Sequence, residues 1–309
     1  MKNFVVDVVS PASSITEAEL SLIRKILLEA GFKSRFFLQE KLLLKNAIDN
    51  NLPAFAAVDR FEQLKQALIA ADSDVIWCAR GGYGSGDLLP LLQKMPKPKR
   101  QKIIVGFSDI TSLTTFFVQS WGWSVVAAPM LNQIAKNKVT KAAQKRIFKL
   151  LRSKLDGKEI ELKYALKPLN KGITEVSGII VGGCLTVLCA EFFTNNQLNW
   201  RDKILFLEDI GESGERIDRY LRQIVFIIKE KQLFPKAILL GNFKQDNPKK
   251  SYKVIELALN NLVNNLVQFK INVPVFIEKS ECLGHAKNMK PLVLGASAVI
   301  ENYELRVKS

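Results

Sequence analysis

Two side chains could do acyl-transfer chemistry together in this sequence, the hydroxyl of Ser108 and the imidazole of His285. Ser108 lies in the run Val105-Gly106-Phe107-Ser108-Asp109-Ile110-Thr111, and His285 is the single histidine among 309 residues. A neutral imidazole is the usual base that activates a serine hydroxyl near neutral pH, so a serine hydrolase built from this chain has one candidate base. The run opens with the β-branched stretch Lys102-Ile103-Ile104-Val105, which predicts a buried strand, and passes through Gly106 into Thr111-Ser112-Leu113-Thr114-Thr115-Phe116-Phe117, which predicts a helix. A serine on such a strand-to-helix turn exposes its hydroxyl beside the N–H groups of the helix start. The elbow pattern Gly-x-Ser-x-Gly is half met: Gly106 is in place, and Ile110 stands where the second glycine belongs. Serine at a helix start is also a common N-cap, so on the residues alone both roles are open.

Three further segments could complete such a site. Asp74-Val75-Ile76-Trp77-Cys78-Ala79 predicts a strand that runs into Arg80-Gly81-Gly82-Tyr83-Gly84-Ser85-Gly86-Asp87. Four glycines in six residues mark a sharp bend or a close backbone approach, whose N–H groups could bind an anion or oxyanion. The same glycines also suit a turn with no ligand. Asp87 replaces the third glycine of a dinucleotide fingerprint, and no phosphate-loop Gly-Lys-Ser/Thr follows. Lys203-Ile204-Leu205-Phe206-Leu207-Glu208-Asp209 predicts a strand ending in two carboxylates, where open α/β sheets face their ligands. Glu208 could orient an imidazole, or Glu208 or Asp209 could cap the next helix. His285 lies in Glu281-Cys282-Leu283-Gly284-His285-Ala286, a loop after the strand Val275-Phe276-Ile277, where a structural and a catalytic histidine both fit.

The elements that must hold these segments follow from periodicity. Thr16-Glu17-Ala18-Glu19 reads as a capping box opening a helix that Gly31 stops. Strands near 4–9, 74–79 and 102–106 alternate with helices, among them a basic amphipathic one through Lys141, Lys145, Ile147, Leu150 and Leu151, which implies a parallel sheet. Residues 156–175, containing Pro168, Lys171 and Gly172, lack periodicity and are taken as a linker. Beyond it, 179–181, 204–207, 237–240 and 275–277 predict strands. Ile217, Tyr220, Leu221, Ile224, Val225 and Ile228 predict an amphipathic helix. Residues 297–300 and 305–307 predict an antiparallel hairpin turning at Glu301-Asn302. The fold class is therefore α/β in two domains. Residues 1–155 form a Rossmann-like parallel sheet with flanking helices carrying Ser108, and 176–309 form a mixed β/α domain carrying Glu208 and His285. That layout expects the set to be completed across a cleft.

Composition narrows the class. With 48% hydrophobic and 24% charged residues the chain is a globular mixture. No apolar run approaches the roughly 20 residues of a spanning helix. Asp7 interrupts the first apolar stretch too early for a secretory signal, so a cytoplasmic protein without membrane insertion is expected. The four cysteines show no Cys-x-x-Cys spacing, which argues against zinc and for reduced, mostly buried thiols; no metal or cofactor is expected. The net charge of +15 invites an anionic partner, yet no nucleic-acid motif accompanies it, and a solvated basic surface is the simplest account.

Taken in order, Arg80-Gly81-Gly82-Tyr83-Gly84, Gly106-Phe107-Ser108-Asp109-Ile110-Thr111, Leu207-Glu208-Asp209, Arg216-Ile217-Asp218-Arg219 and Gly284-His285 with Pro291-Leu292-x-Leu294-Gly295 resemble the motif set of the serine LD-carboxypeptidases, the muramoyltetrapeptide carboxypeptidases. The likeness runs from the Ser10-Pro11-Ala12-Ser13 stretch to the C-terminal hairpin. It implies a Ser-Glu-His hydrolase that releases the terminal D-alanine of murein tetrapeptides in cell-wall recycling. Ser108 would be its nucleophile, Glu208 its acid and His285 its base, with the backbone N–H groups of Gly82 and Asp109 as oxyanion hole. It also implies a homodimer. The family usually has Gly-Gly-Asn where this chain has Gly182-Gly183-Cys184, and tyrosine is commoner than Phe107. Two alternatives stand beside it: a microcin-type immunity peptidase acting on a peptidyl-nucleotide toxin, within the same family, and a non-catalytic basic α/β binding protein.

Overall fold

Short runs of Val and Ile become parallel strands in the first unit because both sheet faces are covered: all four residues of Val75-Ile76-Trp77-Cys78 are buried. The computed structural model describes residues 4–37, 56–170, 175–244 and 248–308. The chain divides into two units, Met1–Glu159 with Lys287–Pro291, and Ile160–Ala286 with Leu292–Ser309. In the first, β1 (Val5–Val9), β2 (Lys33–Phe36), β3 (Val75–Cys78), β4 (Ile103–Val105) and β5 (Val125–Ala127) lie in the order β5-β4-β3-β1-β2, and every neighbouring pair is parallel. The order reverses between β1 and β3, and in doubly wound sheets that switch point is where the carboxyl ends of the strands open a crevice. β2 was not legible as a strand. Its polar Lys-Ser-Arg-Phe sequence suits the end of the strand order, and Arg35 pairs with the buried Asp7 of β1 at 2.7 Å.

The helices of this unit are α1 (Glu17–Glu29), α2 (Ala57–Ile69), α3 (Leu89–Leu92), α4 (Thr111–Ser120), α5 (Leu131–Ala135) and α6 (Lys141–Leu155). α1 opens on the expected capping box: Glu19 N–H donates to Thr16 Oγ1 at 3.2 Å, and Thr16 N–H to Glu19 Oε2 at 2.7 Å. α6 buries Ala143, Ile147, Leu150 and Leu151, and turns Lys141, Lys145 and Lys149 to solvent. Residues Lys287–Pro291 belong with this unit, and Thr140 N–H donates to the Lys287 carbonyl at 2.7 Å.

The second unit is a closed barrel, which separate strand predictions did not foresee. Its strands are β6 (Glu161–Pro168), β7 (Glu175–Cys184), β8 (Ile204–Ile210), β9 (Ala237–Lys244), β10 (Val275–Glu278), β12 (Ser297–Glu301) and β13 (Glu304–Lys308), with the short β11 (Leu292–Leu294) between β10 and β12 in the chain. The barrel order is β10-β6-β13-β12-β7-β8-β9. β7, β8, β9 and β10 pair in parallel and the remaining pairs are antiparallel. β6 corrects the linker reading. Within 156–175, residues 161–168 form a strand whose Tyr164 and Leu166 are buried, a short period-two pattern flanked by Lys163 and Lys167, while 171–174 lie outside the described residues. The hairpin turn falls one residue later than expected, on Asn302 and Tyr303, both left-handed as a type I′ turn requires. α7 (Leu185–Ala190), α8 (Gly214–Lys231) and α9 (Pro248–Gln268) complete the unit, and α8 buries Ile217, Leu221, Ile224, Val225 and Ile228 as its stripe predicts.

Candidate active site

Ser108 stands at the carboxyl end of β4 on a left-handed turn. Phe107 is extended, Ser108 has φ +64°, and a single 3-10 turn (Ser108–Ile110) runs directly into α4. A serine held in the left-handed region is strained, and such strain is characteristic of an elbow that lifts a hydroxyl clear of the backbone. The N-cap alternative fails, since the capping positions are Phe107 for the 3-10 turn and Ile110 for α4, and neither makes a side-chain capping bond. The half-met elbow motif now has a packing reason. A Cβ on Gly106 would lie 2.8 Å from Ile110 Cγ2 and 3.1 Å from Cys78 Sγ, so glycine at the first position makes room for the isoleucine at the second. Burial pushes the thiol of the neighbouring Cys78 up to about 12, with Asp109 adding to the rise, which favours the neutral thiol.

The glycine loop after β3 passes directly beside Ser108. A Cβ on Gly81 would lie 2.8 Å from Met130 Cε and 3.3 Å from Ser108 Cβ, so a side chain there would force Met130 to move. Gly82 has φ +98°, and a Cβ there would fall 2.3 Å from Ser13 Oγ. Ser13, from the loop after β1, anchors the turn: its N–H donates to the Gly81 carbonyl at 3.0 Å, and its Oγ accepts from Tyr83 N–H at 3.2 Å. Ser85 ties the loop to the serine turn, donating from N–H to Asp109 Oδ2 (2.8 Å) and from Oγ to the Asp109 carbonyl (2.6 Å). Burial raises the Asp109 carboxyl above its ordinary value, opposed by the bonds from Ser85. Beneath both loops the buried Arg60 donates to the carbonyls of Pro11 (2.6 Å) and Gly84 (2.5 Å) and to Asp87 Oδ2 (2.8 Å). Asp87 therefore serves as a partner of Arg60 where the dinucleotide pattern would need glycine. Sequence reading passed over Arg60, which had no signal beyond being a charged residue on an apolar helix face, and over Ser85.

In the second unit Glu208 and His285 meet. Glu208 Oε2 lies 2.6 Å from His285 Nδ1 and also accepts His285 N–H at 3.2 Å, and both side chains are buried. With a carboxylate as partner, Nδ1 must be the protonated nitrogen, and the lone pair falls to Nε2, as a general base requires. Gly284, at φ +87°, is obligatory here, because a Cβ would lie 2.6 Å from Glu208 Oε2. Asp209 takes a separate role. Successive strand residues face opposite ways, and its carboxylate accepts from Thr186 N–H (2.8 Å) and Thr186 Oγ1 (2.6 Å) at the start of α7. Neither acid caps the helix that follows them, since Ser213 does so through Arg216 N–H. Burial raises the Asp209 carboxyl, countered by Thr186.

Gly182 and Gly183 precede Cys184 at the end of β7. A Cβ on Gly182 would lie 1.9 Å from the Phe206 carbonyl oxygen, so this glycine is required by the barrel itself. Cys184 Sγ points to Asp209 Oδ1 at 3.7 Å, and burial lifts its thiol well above the ordinary value. All four cysteines are free thiols, and three are buried. Among the described residues no cluster of His, Cys, Asp and Glu could hold a metal ion, and no helix is long and apolar enough to cross a membrane.

A doubly wound unit presenting a strained serine among glycines, and a barrel presenting a carboxylate-bound imidazole, define a hydrolase of the serine class. The family models for the LD-carboxypeptidase N-terminal domain and C-terminal domain match residues 6–128 and 177–300. A Rickettsia conorii protein named as a carboxypeptidase is 30% identical over 313 residues, covering 99% of this chain and 91% of that protein. The murein tetrapeptide carboxypeptidase of Pseudomonas aeruginosa is 30% identical over 256 residues, covering 80% of this chain and 78% of that one. The chain belongs to the LD-carboxypeptidase family, which is of serine peptidase type. Among solved structures the fold is shared with a muramoyltetrapeptide carboxypeptidase from Oxalobacter formigenes (TM-score 0.76, 20% identity, 98% of each chain). It is shared equally with an MccF-like protein from Streptococcus pneumoniae in complex with AMP (TM-score 0.76, 20% identity, 99% of each chain).

Proposed function

We propose that the protein releases the terminal D-alanine from murein tetrapeptides by acyl transfer, with Ser108 as nucleophile, His285 as general base and Glu208 as its orienting acid. The observation that carries this reading is the 2.6 Å contact between Glu208 Oε2 and His285 Nδ1, which leaves Nε2 as the proton acceptor. Ser108 Oγ attacks the amide carbonyl carbon while its proton passes to His285 Nε2. The negative charge on the carbonyl oxygen is met by the N–H groups of Gly82 and Asp109, and losing one such donor costs on the order of a hundredfold to a thousandfold in rate. Collapse breaks the C–N bond, and the imidazolium returns the proton to the departing amine of D-alanine. Water then attacks the acyl-serine by the same proton path and restores the hydroxyl.

The substrate assignment draws on the murein tetrapeptide carboxypeptidase of Pseudomonas aeruginosa, at 30% identity. The same reading makes the enzyme a cytoplasmic homodimer of cell-wall recycling. Stem peptides carry several carboxylates, so the +15 charge supports electrostatic attraction of this substrate class. A second reading, hydrolysis of a peptidyl-nucleotide, draws on structural neighbours of the MccF type, one of them bound to glutamyl sulfamoyl guanosine. Incubating the purified protein with lysine-type and diaminopimelate-type tetrapeptides and with an aminoacyl sulfamoyl nucleoside, then weighing the products, separates the two. Loss of one alanine from a tetrapeptide is the expected result. Cleavage of the nucleoside conjugate alone would establish the second reading, and no cleavage of either would leave neither standing.

A further inference from the structure

We propose that Asn242 is the positioning residue of the histidine loop, its side-chain amide holding the carbonyls that set the His285 ring against Glu208. The inference rests on the reading of His285 as the base and adds a residue that no motif singled out. Opposite Glu208 the β8–β9 register jumps: Leu207 pairs with Leu240, but Asp209 pairs with Phe243. One residue on β8 thus faces two on β9, Gly241 and Asn242, and a bulge of this kind re-aims a side chain where a regular ladder would not. Gly241 lets the loop approach, since a Cβ there would lie 2.8 Å from the Leu283 carbonyl oxygen and 2.8 Å from the Phe206 ring.

Asn242 then binds alternate carbonyls of the loop. Its N–H donates to Leu283 O at 2.8 Å, and its Nδ2 donates to Glu281 O at 3.2 Å and His285 O at 3.4 Å. Asn242 is buried, so these bonds are shielded from water. The loop needs an external frame, because both Glu281 (φ +48°) and Gly284 (φ +87°) are left-handed and no regular ladder spans them. From the other side Glu278 Oε2 accepts Cys282 N–H at 2.8 Å, and Glu208 accepts His285 N–H. Of these anchors Asn242 alone reaches both Glu281 and His285, the two ends of the turn. The position requires a donor: an aspartate of the same shape would set a carboxylate against two carbonyls, and a leucine would offer nothing.

The test compares wild type with Asn242→Leu, of similar volume without donors, and Asn242→Ser, too short to reach both carbonyls. His285 is the only histidine, so its ring N–H proton gives an unambiguous NMR signal, expected far downfield because Nδ1 is bonded to a buried carboxylate. In variants that remain folded by circular dichroism, that signal is expected to broaden or vanish. The kcat for D-alanine release should fall on the order of a hundredfold, the effect of a misplaced catalytic group, with KM changed less than about threefold. A folded variant that keeps both the ring signal and wild-type kcat would overturn the proposal. A rise in KM alone, with kcat and the ring signal intact, would overturn it as well. If wild type itself fails on tetrapeptides, the functional reading falls while the NMR comparison still decides the role of Asn242. Ser108→Ala should abolish turnover and leave the ring signal in place.

Discussion

Replacing Glu208 by glutamine removes a charge while preserving length and shape, and the structure says how much that charge should matter. Glu208 and His285 are buried, with side-chain exposures of 2% and 7%, and their bonded atoms are 2.6 Å apart. In the proposed mechanism the imidazole takes the serine proton, which would set two unit charges with centres about 4 Å apart, an attraction of about 4 kcal/mol at the effective dielectric of protein sites. Glutamine can still accept the Nδ1 proton through its carbonyl, so binding should persist while the imidazolium goes unsupported. At 1.36 kcal/mol per tenfold, kcat should fall by about three powers of ten, with KM little changed. Coupled detection of released D-alanine measures both constants, and a thermal melt confirms folding. Asp209→Asn is the control. Its carboxylate serves Thr186 at the start of α7, so the amide should cost about 1–3 kcal/mol of stability and leave kcat within a few-fold. The reasoning is refuted if Glu208→Gln turns over at the wild-type rate, or if Asp209→Asn loses as much kcat as Glu208→Gln.

Ser108→Ala should reduce D-alanine release to background with a melting temperature close to wild type; retained activity would remove Ser108 as nucleophile. Gly284→Ala should destabilise by about 2–4 kcal/mol, from left-handed backbone and the clash with Glu208 Oε2 at 2.6 Å, and an unshifted urea midpoint would count against it. Arg60→Leu strands the carbonyls of Pro11 and Gly84 beneath the glycine loop, so a loss of about 3 kcal/mol and a lower kcat are expected. Wild-type stability and rate in that variant would show that the loops do not depend on it. If the positive surface draws in carboxylate-bearing stems, kcat/KM should decline with added sodium chloride while kcat holds, and a salt-independent kcat/KM would dismiss the attraction.

Much of the candidate site was legible in the chain because its residues sit where patterns change. The β-branched run before Gly106 marks β4, and the glycines after Trp77 and Cys78 mark the loop at the switch point. What could not be read was the choice between roles that use the same residue. Serine suits a nucleophile and an N-cap equally, and the backbone excludes the cap, since Phe107 and Ile110 hold the capping positions and Ser108 is left-handed. Glu208 and Asp209 are adjacent acids on one strand, and the barrel, bringing the 281–285 loop to one face and Thr186 to the other, tells them apart. Barrel closure itself depends on β6 pairing with β10, from Pro168 to Phe276, a separation no local periodicity reports. Arg60 and Asn242 were silent for another reason: most of their partners are backbone carbonyls, which have no signature in sequence.

The central claim is that His285 activates Ser108, and covalent labelling tests it most directly. A fluorophosphonate phosphonylates an activated serine hydroxyl, forming an O–P bond with loss of fluoride, and intact-mass spectrometry followed by peptide mapping locates the adduct. Wild type is predicted to take one label, on Ser108, at a rate that drops by orders of magnitude in His285→Ala and to nothing in Ser108→Ala. Labelling at a different serine, or equal labelling rates with and without the imidazole, would contradict the account.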